Sequence, residues 1–517
     1  MTPRAALVLR GEAAPRALEL TLDSLLGQTE QRFVLDAGGA GAAGRALLRR
    51  YGDARFLTAP APACEFAGVI EAGSVLAPTW LARLAAALDA APDAAAARAG
   101  ATLFDGVALR PAAAPAGVAG ALLRRATLPP GWADATDPAA FGRVVTLPGR
   151  LVIRREAPHA APPVQRRLAT ALYGHAYLPA DIEAERPPTL HVVVDTEAEF
   201  DWDKPFAENL TGVSALSQVE SAQAIFDRYG LRPTYVIDYP VASQADSVAA
   251  IRAIADRGGC AVGAHLHPWT NPPFGAAIDQ AMSFPGNLPP DMEAAKLDAL
   301  LSQIGAQFGE RPLFYKAGRY GLGPNTARLI AARGVAVDFS LMPETDMRDV
   351  HGPDFRMVAA IPYTVDALNL LAVPMTRADL GPLSRWWRLR GWLDTQTATL
   401  LHVRGMLVRA GLLERLTLTP EGVSAKLQIV LLNTLLRRGH RLFVLHFHSP
   451  SLVAGHTPYV RNEAERAAFL ARIEAVCRWF FEELGGVPGR PWDLLPVEQR
   501  SRAGLGGEGP GADPGRR

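Results

Sequence analysis

Short apolar runs alternate with amphipathic stretches along most of the chain, the pattern of an α/β protein built on parallel strands. Over residues 1 to about 180, ALVLRG, QRFVLDAGG and FAGVIEAG read as strands, and LELTLDSLLGQT and TWLARLAAALDAAP read as helices. From Thr189 the alternation restarts and is cleaner. Seven strand candidates follow: TLHVVVD, PTYVID, CAVGA, LFYKAG, VAVDFS, LLAVPM and RLFVLHF. Helical stretches such as SQVESAQAIFDRYG, DSVAAIRAIADRGG, MEAAKLDALLSQIGAQFG and NTARLIAARG lie between most of them. Parallel strands need such crossovers, so an irregular (β/α) barrel is the simplest closure. In such barrels chemistry gathers at the carboxyl ends of the strands.

The Pro-rich, acidic stretch LPADIEAERPPTL separates the two halves, giving an α/β domain over 1–180 and a barrel over 186–500. Residues 376–425 interrupt the barrel's alternation with RWWRLRGW and the amphipathic LLHVRGMLVRAGLLERL, which predict a helical insertion. After it, Thr419 is expected to cap a helix with Pro420 and Glu421 in its first turn. Trp386, Trp387 and Trp392 suit packing of that insertion on the barrel; with their interleaved arginines they also suit peripheral membrane contact through 385–392, or stacking on sugar faces. The tail 501–517 has almost no apolar content and is expected to be disordered.

Composition narrows the function. The 517 residues are 49% apolar and 20% charged, with a net charge of +1, so nothing recommends a nucleic-acid partner. Cys64, Cys260 and Cys477 lack a paired spacing and read as buried thiols. The start is too soon interrupted by charge for a signal peptide, and no apolar run is long enough to span a bilayer. A cytoplasmic enzyme is the expectation.

Only 11 histidines occur, and random scatter would give about a quarter of one pair with a single-residue gap. Two such pairs are present, His265 with His267 in GAHLHPW and His446 with His448 in VLHFHSP, downstream of the acid-rich VVVDTEAEFDW. In extended backbone, residues i and i+2 share a face, so each pair aims two imidazoles into one space. Imidazole and carboxylate together suit a divalent metal, zinc first among them. Asp195, His265, His267, Asp338, His446 and His448 all fall at or just past a strand's carboxyl end. His402, His440 and His456 read as surface or loop residues, and Glu199 and Asp203 as solvated.

Over roughly 186–490 these motifs resemble the polysaccharide deacetylase family of NodB-type fold, in its WalW-like branch. The resemblance implies a metal-dependent hydrolysis of acetamido or ester groups on sugars, carried by a distorted seven-stranded (β/α) barrel. VVVDTEAEF stands where that family ends a strand with two carboxylates, GAHLHPW where it places two metal-binding histidines, and YKAGRYG where it places a cation and loop backbone. Asp338 in VDFSLMP stands for a further acid, and LHFHSP for the last histidine. The family's adjacent Asp-Asp is Asp195-Thr-Glu197 here, and its wide histidine spacing has shrunk to His265-Leu-His267. Glu197 is assigned as the acidic ligand, with Asp195 and Asp201 as alternatives. The motif-three cation corresponds to Lys316 or Arg319; Arg319 is preferred because a guanidinium can orient a carboxylate through two hydrogen bonds. The resemblance then implies a metal on His265, His267 and Glu197, Asp195 as base, a loop N–H near Tyr320 at the oxyanion, and His448, or else His446, as acid. Asp338 and Arg319 would tune them.

Residues 1 to about 110 resemble the nucleotide-sugar half of an inverting GT-A glycosyltransferase, with Asp36 at a strand's end. The family's metal-binding Asp-x-Asp reads Glu71-Ala-Gly73, so this half is expected to have lost activity. Three function classes follow: a metal-dependent deacetylase of an N-acetylated sugar in an envelope glycan or its precursor, polymeric or lipid-linked; a noncatalytic carbohydrate-binding protein; and a glycosyltransferase.

Overall fold

The computed structural model describes residues 2–495 apart from 11–14, 27, 39–41, 52, 58–63, 73, 78, 105–108, 113–118, 130–131, 135–137, 156–169, 181–186, 201–204, 276, 366 and 381–413. Asp201, Asp203, Trp386, Trp387, Trp392, the 385–392 segment and the 501–517 tail therefore lie outside the described residues. Among the described residues no helix is long and apolar enough to cross a membrane.

Two mixed α/β layers carry separate apolar cores. In the first half, Phe56–Leu57, Phe33–Asp36, Ala5–Arg10 and Phe66–Glu71 pair in parallel in that spatial order, and Leu122–Arg124 joins antiparallel. Leu7, Leu22, Phe33 and Trp80 are at the centre of its core. Asp36 ends its strand and turns its Oδ1 back to accept the Gly38 N–H at 3.0 Å.

In the second half all seven expected strands form, here named β1 (Thr189–Thr196), β2 (Thr234–Ile237), β3 (Ala261–Leu266), β4 (Phe314–Ala317), β5 (Val337–Asp338), β6 (Leu370–Ala372) and β7 (Leu442–His448). They lie in the order β6-β5-β4-β3-β2-β1-β7, every neighbour parallel. The helices α1 (Val219–Arg228), α2 (Ala245–Asp256), α3 (Pro290–Phe308) and α4 (Thr326–Ala332) supply crossovers. The ladder stays open between β6 and β7. Instead, the Val444 N–H donates to Thr376 Oγ1 at 2.7 Å and the His446 N–H to the Leu418 carbonyl at 3.2 Å, so loop residues bridge the gap.

Other boundaries differ from the sequence reading. A hairpin, Thr170–Leu172 with His175–Pro179, pairs with Tyr363–Val365 of the second sheet, ahead of the division at residue 180. The insertion enters and leaves as an antiparallel ribbon, Arg377–Leu380 with Glu414–Thr417. Thr419 caps no helix. Gly422 at φ 72° breaks the helical path, and α5 (Ala425–Arg437) starts at Ser424, whose hydroxyl accepts the Leu427 N–H.

Register decides which side chains share one face of the parallel sheet. Val192, Val193 and Val194 are fully buried, each contributing roughly 1.5–3 kcal/mol, so β1 is buried on both faces, and a one-residue slip would turn Asp195 to the other face. In that register Asp195 pairs with Val236 and His448, Val193 with His446, and His265 with Lys316. The alternation therefore gives Asp195, His265, Lys316, His446 and His448 one common face. Tyr315 pairs with Asp338, one residue out of step, on the opposite face.

Candidate metal centre

Glu197, His265 and His267 converge at the mouth of the parallel strands, with ligand atoms all within 4.8 Å of one another and all three residues buried. Nε2 of His265 and Nε2 of His267 each lie 3.3 Å from the same oxygen, Glu197 Oε2. The protons of this cluster can be placed. His265 Nδ1–H donates to the Lys316 carbonyl at 2.8 Å, so in the neutral ring Nε2 carries a lone pair. His267 Nδ1 lies 3.4 Å from Asp238 Oδ2, which turns its Nε2 lone pair toward Glu197, where it has no hydrogen-bond partner. Burial, and then repulsion from His265, push the His267 pKa down to about 3. His267 therefore faces Glu197 as a neutral ring. Two imidazole nitrogens and a carboxylate oxygen facing one another are a donor set that a divalent cation satisfies.

Asp238, which follows β2, was not singled out by the sequence. Its Oδ2 also accepts the Ala198 N–H at 2.8 Å and its Oδ1 the Val241 N–H at 3.0 Å. Burial raises its pKa to about 6, with these N–H groups and His265 pulling the other way. A carboxylate behind an imidazole fixes the ring's tautomer and orientation. Its only sequence signal was its position after a short apolar strand.

Beside the triad stands a buried ion pair. Lys316 Nζ donates to Asp195 Oδ2, and both side chains are nearly without exposure, at 1% and 4%. Burial favours the neutral acid, but Lys316 first, and then His265, His448 and His446, hold Asp195 well below the usual carboxylate range. Its other oxygen, Oδ1, is buried with no hydrogen-bond partner. The cation against Asp195 is thus Lys316 and not the preferred Arg319. The correction has a geometric cause. Lys316 lies within β4 on the interior face, whereas Arg319 follows the strand's end in a turn at φ 55° and packs between Phe206 and Phe284.

His448 faces Asp195 Oδ2 across 3.6 Å through Nε2, while its Nδ1 lies 2.8 Å from Glu421 Oε2. Glu421 Oε1 accepts the His448 N–H at 3.1 Å and the Ser451 hydroxyl at 2.5 Å. Burial opposes a charged imidazole, yet the carboxylates of Glu421, Glu197 and Asp195 raise the His448 pKa to about 10. Glu421 was visible in the sequence only as a helix-start signal. His446 sits deeper, with Nε2 3.0 Å from the Tyr320 hydroxyl; burial and Lys316 keep it neutral.

Asp338 does not join this cluster. Its Oδ1 accepts the Ser340 N–H at 2.9 Å and the Ser340 hydroxyl, on the outer face. Burial raises its pKa to about 6. Glu199 is held rather than solvated, accepting from Ser214 Oγ at 2.8 Å and the Ala215 N–H at 2.7 Å.

No family model matches the sequence, and no curated protein is similar to it. Among solved structures, the chain overlaps a protein described as a polysaccharide deacetylase from Mycobacterium smegmatis at 17% identity, over 58% of this chain and 87% of that one, with a TM-score of 0.33. A protein described as a polysaccharide deacetylase from Pseudomonas aeruginosa PAO1 gives 15% identity over 61% and 92%, TM-score 0.34. A GH57 branching enzyme from Thermococcus kodakaraensis gives 11% over 61% and 71%, TM-score 0.34. Overlaps this slight, spread over different chemistries, carry no argument about the reaction.

Proposed function

We propose that this chain is a metal-dependent hydrolase, and specifically that it removes the acetyl group from an N-acetylated sugar of an envelope glycan or glycan precursor. The observation that carries the hydrolase reading is the buried convergence of His265, His267 and Glu197 beside two oppositely paired groups, Asp195 on Lys316 and His448 on Glu421. The sugar substrate rests on the motif resemblance, in which the acid pair, histidine pair and final histidine occur in the family's order.

His265, His267 and Glu197 would hold the ion, with Asp238 steadying His267. A divalent ion supplies Lewis acidity toward water and the acyl carbonyl. Asp195 accepts the proton of the attacking water at Oδ1, the oxygen that Lys316 leaves free. Lys316 keeps that carboxylate ionised and aimed. The amine leaves only if protonated, and His448 delivers that proton from Nε2 while Glu421 steadies Nδ1. Water adds its hydroxyl to the acyl carbon and its proton to the base, the C–N bond breaks, and acetate and an amine result.

The test is twofold. Purified protein is expected to bind one divalent ion per chain, lost in the His265→Ala/His267→Ala variant, and to release acetate from N-acetylhexosamine oligosaccharides unless a chelator is present. Metal bound without acetate release from any such glycan would leave a noncatalytic carbohydrate-binding protein; no metal bound sinks the hydrolase reading.

A further inference from the structure

The turn after β4 passes directly over the metal triad. Gly318 has no room for a side chain there, since an added Cβ would stand 2.4 Å from the His267 ring. Tyr320 sends its hydroxyl inward to His446. Arg319, between them, goes the other way: both Arg319 and Tyr320 hold left-handed backbone, at φ 55° and 56°, and their side chains diverge. Such backbone is costly for residues with a Cβ, by about 1–2 kcal/mol each, so the surrounding packing must enforce it.

The guanidinium of Arg319 lies 4.1 Å from the centre of the Phe284 ring and 5.1 Å from that of Phe206. Phe206 packs at 4.5 Å on Trp269, which stacks at 4.5 Å on His267. The platform is clamped, because the Gly286 N–H donates to the Gly321 carbonyl at 2.8 Å and Gly286 and Gly323 abut with no space for a Cβ. Arg319 is thus a fixed cation separated from His267 by the rings of Phe206 and Trp269. Its hydrogen bonds go to neutral groups through a single nitrogen, to Ser283 Oγ and, at 3.5 Å, to the Gln280 carbonyl. Among the described residues no carboxylate pairs with it, and its Nε and second terminal nitrogen bond to no protein atom. The contrast with Lys316, which is fully neutralised by Asp195, is plain.

A half-buried guanidinium loses hydration that two aromatic faces only partly replace. Its planar fork matches a carboxylate or phosphate through two parallel hydrogen bonds. We infer that Arg319 binds an anionic group of the glycan, a carboxylate or a phosphate, beside the N-acyl group presented to the metal. This rests on the hydrolase reading for the glycan but on its own geometry for the anion.

The experiment is calorimetric binding to the full chain with chelator present, so that no turnover enters. Three probes are compared: a neutral N-acetylglucosamine oligosaccharide, one of matched length with alternating uronate residues, and N-acetylglucosamine 1-phosphate. One anionic probe is expected to bind about 10–100-fold more tightly than the neutral one, the worth of a charge-assisted hydrogen-bond pair. Arg319→Gln removes that preference and leaves neutral binding in place, while Arg319→Lys keeps part of it. Equal binding of all three probes by the wild type, or an anion preference that survives in Arg319→Gln, overturns the inference. Anion-selective binding through Arg319 in a protein that releases no acetate when metal is restored would keep the inference and sink the hydrolase reading instead.

Discussion

Two cations near one strand end, Lys316 buried and Arg319 half-buried, show how residue type and residue position differ in weight. A guanidinium is the better fork for a carboxylate, yet Lys316 holds Asp195 and Arg319 does not. The reason is alternation: Lys316 shares the interior face through its pairing with His265, whereas Arg319 follows the strand's end and turns toward Phe206 and Phe284. Removing one partner of a buried pair strands the other charge. Lys316→Met is therefore expected to cost about 3–5 kcal/mol in urea denaturation, whereas the Asp195→Asn/Lys316→Met double variant loses clearly less; equal losses would argue against a buried pair. Glu421→Gln tests the second pair. Glu421 is the largest influence raising His448, so without its charge the acid loses its proton at lower pH. Acetate release should fall about tenfold or more, and the basic limb of its pH profile should move down, a shift that loss of packing alone does not produce.

At the scale of elements, strand register sorts the candidate acids. Asp195 and Asp338 look alike in the sequence, each ending an apolar run, but the ladder puts Asp338 beside Tyr315 on the outer face. The helices packed there bury further acids. Glu293 of α3 is fully buried, accepts the Thr326 hydroxyl at 2.5 Å through one oxygen and leaves the other without a partner. Burial raises its pKa from 4.5 to about 7. The folded state therefore holds this proton where the unfolded chain has released it. The resulting stability is fully present below pH 4.5 and is lost as pH rises to about 7, up to roughly 3 kcal/mol. Glu293→Gln keeps the acceptor for Thr326 and removes the titration. Its unfolding free energy should change less between pH 4.5 and 8 than that of the wild type; identical pH dependence of the two proteins would refute this account.

For the molecule as a whole, three apolar clusters divide the chain, two of them in the first half. The largest one runs from Leu172 to Leu495 and takes in the hairpin ahead of β1. A fragment spanning 170–495 is therefore expected to fold and to bind metal as the full chain does, with its Tm raised by added zinc and lowered by chelator. Free ion a thousandfold above Kd would add about 4 kcal/mol; a Tm indifferent to zinc would count against a resident ion. Much of this plan is legible in the sequence. Periodicity gives all seven parallel strands and their crossover helices, because hydrophobic alternation is set by local geometry. The i, i+2 spacing gives the shared aim of His265 and His267 for the same reason. What the linear pattern cannot carry is partnership across long separations. Lys316 is 121 residues from Asp195, Glu421 is 27 from His448 and Asp238 is 29 from His267. Each of those pairings depends on strand register and loop path, which only the assembled tertiary structure fixes. The sequence by itself determined that imidazoles and acids gather at strand ends; the fold decided which of them meet, since only close-packed burial makes an unpaired charge too costly to leave alone.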